Sequence, residues 1–153
     1  MALLSLFQKK ALLTDRDQSL ILEAIRSSEK QTSGEVRVYI ESRCKFVDPL
    51  DRATEIFFGL KMDQTRERNA VLVYVAVKDQ QLAIFGDQGI HQKTGEQFWV
   101  SEVRNMLQHF NKNDYGAGIA VAVTEIGQAL HIHFPYDSNT DKNELPDDIV
   151  FGR

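Results

Sequence analysis

Residue types that bind ions or phosphate fall close together in the middle of this chain. Asp87 lies in the stretch Gly86-Asp87-Gln88-Gly89. Glycines allow a tight turn that can bring backbone carbonyls toward an ion, and a carboxylate there suits calcium or magnesium. Asp63, Asn69 and the hydroxyl of Thr65 are the oxygen donors that could complete the shell. Two plainer readings compete with this one: an ion pair between Asp87 and Arg68 or Arg66, or an aspartate that only shapes the turn. Arg66 and Arg68 flank Glu67 and could bind a phosphate. Hydrolysis of a phosphate ester would further need a nucleophile or a metal-held water, and Asp87 is the candidate.

A second oxygen-rich stretch, Asp137-Ser138-Asn139-Thr140-Asp141-Lys142-Asn143, matches the first half of an EF-hand loop. The match then fails, because Lys142 replaces the turn glycine, Asp148 replaces the closing glutamate and Pro146 interrupts the exit helix. An irregular calcium site using Asp137, Asp141 and Glu144 competes there with a solvated acidic terminus. Of the four histidines only His91 is placed to serve the glycine loop. His131 and His133 are two apart, and no His-Glu-x-x-His spacing offers a zinc site. The single Cys44 excludes an internal disulfide and a cysteine-built zinc site, which fits a reducing compartment. No phosphate loop, Gly-x-Gly-x-x-Gly or Gly-x-Ser-x-Gly pattern occurs.

The elements that must position these residues follow from hydrophobic period. Ala70 to Val77 is an unbroken apolar run rich in β-branched residues, the pattern of a strand buried on both faces. Lys78-Asp79-Gln80-Gln81 forms a polar turn, and Leu82-Ala83-Ile84-Phe85 supplies a second strand. Pairing the two as a hairpin places Arg68 and Asn69 opposite Gly86, Asp87 and Gly89.

Upstream, Thr14-Asp15-Arg16-Asp17 fits a capped helix start, with Leu20, Ile21, Ala24 and Ile25 on its buried face. Glu35 to Glu41 alternates, which predicts a strand with one wet face or an edge position. Asp48-Pro49 opens a second helix through Ala53, Ile56, Phe57 and Leu60. Strand, helix and strand in this order predict parallel pairing of the first two strands, so the hairpin makes the sheet mixed. After a loop from Gly86 to Gly95, Trp99, Val103, Met106, Leu107 and Phe110 mark a third helix. Asn113-Asp114 can cap a fourth, running through Ile119, Val123, Ile126 and Leu130. That direction brings the tail out at the same end of the sheet as Asp87.

The chain has 153 residues, 42% of them hydrophobic, enough for one domain with a real core. We place it at 1–134, including an apolar N-terminal arm, followed by an acidic tail at 135–153. Five acids against Lys142 and Arg153 give the tail a net charge of −3, so the other 134 residues carry only −1 of the total of −4. Such a near-neutral body argues against a nucleic-acid partner, which wants a basic face. No run approaches the ~20 apolar residues of a membrane span. The N-terminus is too short for a secretory leader, so a soluble cytoplasmic protein is expected.

Several of these segments together resemble the TPM-domain family, named for thylakoid-lumen and photosystem-II-repair proteins and a nematode receptor modulator. They are Ser33-Gly34-Glu35-Val36-Arg37-Val38, Asp51-Arg52-Ala53 with Phe57, and Thr65-Arg66-Glu67-Arg68-Asn69-Ala70-Val71-Leu72. The Gly86-Asp87-Gln88-Gly89-Ile90 loop and Asp114-Tyr115-Gly116-Ala117-Gly118-Ile119 complete the match, from about Leu20 to Leu130. Thr-x-x-Arg-Asn before the strand is the most specific piece, with Ala70 where the family usually has glycine. The tail Asn143-Glu144-Leu145-Pro146-Asp147 is similar to that of small free-standing soluble members. The resemblance implies an α/β/α sandwich around a central mixed parallel/antiparallel sheet with about four helices. It also implies divalent-cation binding, as in some members, and a weak acid phosphatase activity, as claimed for a plant member. A non-catalytic protein-interaction module, docking a partner through tail or leader, is the third expectation.

Overall fold

The computed structural model describes residues 13–45, 48–136 and 149–152. The leader at 1–12 and the tail candidates Asp137, Asp141 and Glu144 lie outside the described residues. The first helix, α1 (Asp15–Glu29), begins at a capping box. The Thr14 hydroxyl accepts from the Asp17 N–H, and the Asp17 carboxylate accepts from the Thr14 N–H. Strand β1 (Glu35–Glu41) leads to α2 (Pro49–Gly59), capped by the Asp48 carboxylate with proline in its first turn. Strands β2 (Ala70–Ala76) and β3 (Gln81–Gly86) form the hairpin. Helices α3 (Gln88–Thr94), α4 (Glu96–Asn111) and α5 (Tyr115–His133) follow, and β4 (Ile149–Phe151) closes the described chain.

The four strands form one sheet in the order β3-β2-β1-β4. As expected, β1 runs parallel to β2, and β2 runs antiparallel to β3. One face carries Val36, Val38, Ile40, Val71, Val73, Val75, Leu82 and Ile84 against α1, α4 and α5. The other carries Leu72, Tyr74, Ala76 and Ala83 against Ala53, Ile56 and Phe57 of α2. This is an α/β/α sandwich. Each fully buried aliphatic side chain, such as Ile21 or Ile25 of α1, contributes roughly 1.5–3 kcal/mol to it.

Three expectations need correction. The Gly86–Gly95 stretch is not a loop, because α3 occupies most of it and raises the helix count to five among the described residues. Strand β1 is neither an edge nor wet on one face: Glu35, Arg37 and Glu41 are 3%, 7% and 3% exposed. Its outer side is covered by β4, whose Ile149 stands opposite Val38. At the end of its polar face, Arg52 of α2 grips the Glu41 carboxylate through Nε at 2.9 Å and Nη2 at 3.0 Å. The Tyr74 hydroxyl donates to the same carboxylate. Burial and then that hydrogen bond raise the Tyr74 pKa above its ordinary value. Asp114 makes no side-chain cap on α5, and its carboxylate lies 3.5 Å from His109 instead.

Helix α5 forms despite its glycines because they are where its neighbours touch it. A Cβ on Gly116 would lie 2.7 Å from the Asp17 Cα of α1, and one on Gly118 would lie 2.7 Å from the His109 Cβ of α4. On α4, buried Glu102 carries a carboxyl oxygen without a partner. Burial first, and then the hydrogen bond and charge of Glu125, push its pKa up to about 8.

The native state therefore holds a proton on Glu102 that the unfolded chain loses near the usual glutamate range. The contribution of Glu102 to stability is fully present below that range, declines as pH rises toward about 8, and then levels off. Glu102→Gln should flatten this decline and raise Tm at alkaline pH, as thermal melts across the window would show.

Candidate functional site

The hairpin brings Arg68, Asn69 and Asp87 together as its register requires. Gly86 stands opposite Val71, and the Asp87 N–H donates to the Ala70 carbonyl at 2.9 Å. Arg68, immediately before β2, adopts a left-handed backbone with φ 52°. Its guanidinium meets Asp87 in a fork, with Nε to Oδ2 at 2.6 Å and Nη2 to Oδ1 at 2.8 Å. Oδ1 also accepts the Gln88 N–H at 2.8 Å, so Asp87 caps α3. The carboxylate is only 2% exposed and the arginine side chain 34%. These hydrogen bonds raise the Arg68 pKa above its ordinary value, and the charges of Asp87 and Asp63 add to them.

Thr65 and Asn69 lie beneath this pair. The buried Thr65 hydroxyl accepts the Asn69 N–H at 3.3 Å, and Asn69 Nδ2 donates to Ser33 Oγ at 3.2 Å. Asn69 is 1% exposed and its Oδ1 has no hydrogen-bond partner. Such an orphaned acceptor costs about 1–3 kcal/mol. Asp63 is half-buried, close enough to act on Arg68, whereas Arg66 is exposed. The fold therefore pairs Asp87 with Arg68, sets Asp63 near enough to act on that arginine, and joins the adjacent Asn69 to Thr65 and Ser33. The ion pair, one of the plainer readings, forms, and it coexists with a set of oxygen donors.

A divalent cation at this cluster would meet Arg68, since the guanidinium engages both Asp87 oxygens. Away from that fork, the oxygen groups nearby in the chain are Asn69 Oδ1, Thr65 and Asp63. Among the described residues no group of three or more His, Cys, Asp and Glu side chains is placed to hold a metal. Any ion here would therefore rest on two carboxylates with amide and hydroxyl oxygens, a set suited to calcium or magnesium rather than zinc.

Sequence reasoning missed two features. Ser33 joins the cluster from the start of β1, where the Phe134 carbonyl also accepts the Ser33 N–H at 3.1 Å and brings the tail to this end. Trp99, read as core, lies across Gly86, where a Cβ would come within 2.3 Å of its ring. Its Nε1 donates to His91 Nδ1 at 3.0 Å. Trp99 and Arg68 stand at one end of a groove of about 620 Å³ that runs along β3. Leu50 and Phe58 of α2 form one wall, and Val100 and Val103 of α4 form the other. Spacing on α4 separates Trp99 and Val103 from Met106, but nothing in it shows which of them faces a groove.

A sequence model of the TPM domain matches residues 6–129. The structure is similar to that of the BA42 protein of the psychrophilic bacterium Bizionia argentinensis, with 38% identity and a TM-score of 0.82. That likeness covers 92% of this chain and 95% of the other. The N-terminal domain of the cg2496 protein of Corynebacterium glutamicum shares the fold at 14% identity and a TM-score of 0.57, over 77% of this chain and 74% of that one. Among curated proteins none matches the chain significantly. No helix among the described residues is long and apolar enough to cross a membrane.

The cluster depends on Gly89, whose N–H donates to the Arg68 carbonyl at 2.8 Å. A Cβ there would lie 2.1 Å from the Glu67 carbonyl oxygen and 2.6 Å from that of Arg68. Gly89→Ala should destabilise the fold by about 2 kcal/mol, the usual scale of overpacking. In a denaturant titration this would move the midpoint without changing the slope.

Proposed function

The chain belongs to the TPM-domain family, and we propose that its loop end binds a divalent cation, calcium or magnesium. Asp87, Asp63, Asn69 and Thr65 would hold the ion. The observation that carries this reading is the buried Asn69 Oδ1 without a partner, next in the chain to Arg68, on which the charges of Asp87 and Asp63 both act. A buried carboxylate needs a compensating positive charge. Arg68 supplies that charge from the solvent side, where its side chain is free to turn away.

A phosphate ester suits the cluster less well. The Arg68 fork is engaged by Asp87, Arg66 lies exposed, and the Asp87 carboxylate is enclosed by its donors rather than aimed at a substrate.

Titration with calcium and magnesium, followed by amide NMR shifts, tests the proposal. Shifts should cluster at 63–69 and 86–91 and saturate. Asp87→Asn should weaken binding at least about tenfold. Arg68→Ala should strengthen it, because a competing cation is gone, whereas a phosphatase that relied on Arg68 would lose its turnover in the same variant. Ion binding unaffected by Asp87→Asn would leave the cluster as a structural ion pair and sink the proposal.

A further inference from the structure

Strand β3 ends the sheet, and among the described residues no strand pairs with its outer side. The Asp87–Ala70 hydrogen bond fixes the alternation of the ladder, so Phe85, Ala83 and Gln81 exchange hydrogen bonds with β2. Leu82, Ile84 and Gly86 then present their N–H and C=O groups outward. The six residues Gln81–Gly86 contain no charge and no proline, the devices that usually blunt an open edge.

This edge is the floor of the groove, and its walls are apolar where they face solvent. Leu50, Phe58 and Val100 are 45%, 47% and 42% exposed there. The rim carries the exposed carboxylates of Asp48 and Glu96, while the Arg68 and Asp87 charges cancel. The surroundings of the open edge are thus apolar with an acidic rim.

A second copy does not fit this edge. Phe57 and Phe58 of α2 both pack on Phe85 of β3, with ring centroids 4.6 and 5.9 Å apart, so α2 stands over the edge strand itself. Paired strands lie about 4.8 Å apart, whereas helix axes approach no closer than about 8 Å. Edge-to-edge pairing of two copies would drive α2 into its mate. A single extended segment, carrying no helix of its own, meets no such obstacle.

We propose that the groove along β3 receives an extended segment of a partner protein, which joins the sheet as an added strand. Its central side chains are apolar, since both walls are, and it carries lysine or arginine at its ends, beside Asp48 and Glu96. Backbone hydrogen bonds to Leu82, Ile84 and Gly86 hold it, and the walls select its sequence. The bound ion of the loop end plays no part in this.

The probe is a capped synthetic peptide of two lysines, the run leucine-valine-valine-leucine and two lysines, added to the full chain in the presence of a chelator. Trp99, the one tryptophan of the chain, is a built-in reporter. Saturable binding should shift its fluorescence and slow amide exchange at Leu82, Ile84 and Gly86 by at least about tenfold. N-methylation of the two valines, which removes backbone donors, should weaken binding about tenfold, and so should glutamates in place of the lysines. Leu50→Glu and Val100→Glu, at positions 45% and 42% exposed on the two walls, should each abolish it. A Trp99 response without amide protection would leave a groove that binds but would overturn strand addition. No response at millimolar peptide overturns the proposal. Concentration-dependent dimerisation that protects the same three amides without peptide would make a second copy the occupant, and overturns it too.

Discussion

A strand buried on both faces has no place for a charge, and β2 imposes that constraint on the whole molecule. All seven of its residues are buried, between β1 and β3 laterally and between helices above and below. A charge placed among them would be removed from water with no partner, at a cost of many kcal/mol. Its one polar side chain, Tyr74, is tolerated because Glu41 accepts its hydroxyl. Chemistry is therefore displaced to the two ends of the sheet and to its open edge. Arg68 and Asn69 precede the first residue of β2, and Asp87 follows the last residue of β3.

The two ends solve the same problem differently. Where β1 leaves the sheet, Glu41 receives a forked guanidinium from Arg52 and the Tyr74 hydroxyl. Arg52 also lies 5.9 Å above the Tyr39 ring and reaches Glu55 at 2.5 Å. Both Glu41 oxygens have donors, and α2 covers them. At the other end Asp87 is as deeply buried and as fully paired, but its arginine lies open to solvent and Asn69 Oδ1 is left over. A completed network fixes structure. An acceptor left unpaired in a desolvated place is one that a ligand would satisfy at little further cost.

How far this was legible in the sequence depends on the distance over which each feature is decided. The hairpin, the capped starts of α1 and α2, and the helical period of α5 are local patterns, and all three formed as read. So did the juxtaposition of Arg68 with Asp87, because hairpin register is set by the turn between its strands, although their ion pair was only the plainer alternative to a cation site. Helix α3 was hidden because Gly89 argues for a loop. Its glycine serves instead to admit the carbonyls of Glu67 and Arg68. The alternation of β1 is real, but alternation shows only that two faces differ, not that the polar one is wet. That face is buried, and at its end Arg52 of α2 reaches over to pair with Glu41. Strand β4 lies beyond any local pattern, since Ile149 pairs with a residue more than a hundred positions away.

The two edges of the sheet carry the same tension in opposite form. The outer side of β1, a strand that alternates apolar and polar residues, is covered by β4 (Ile149–Phe151). There the Gly152 N–H donates to the Ile40 carbonyl at 2.6 Å, and the glycine lies so close to Tyr39 that a Cβ would meet its ring within 2.7 Å. The β3 edge carries no charge, and no described strand covers it. An edge of this kind invites association with any exposed sheet. What restrains it is geometry, because α2 and α4 rise on either side and a second sheet flanked by its own helices cannot approach. The same walls leave a groove of about 620 Å³ along β3 between them. Protection against sheet-to-sheet association and access for a lone segment are thus two consequences of one arrangement, the placing of α2 over β3 by Phe57, Phe58 and Phe85.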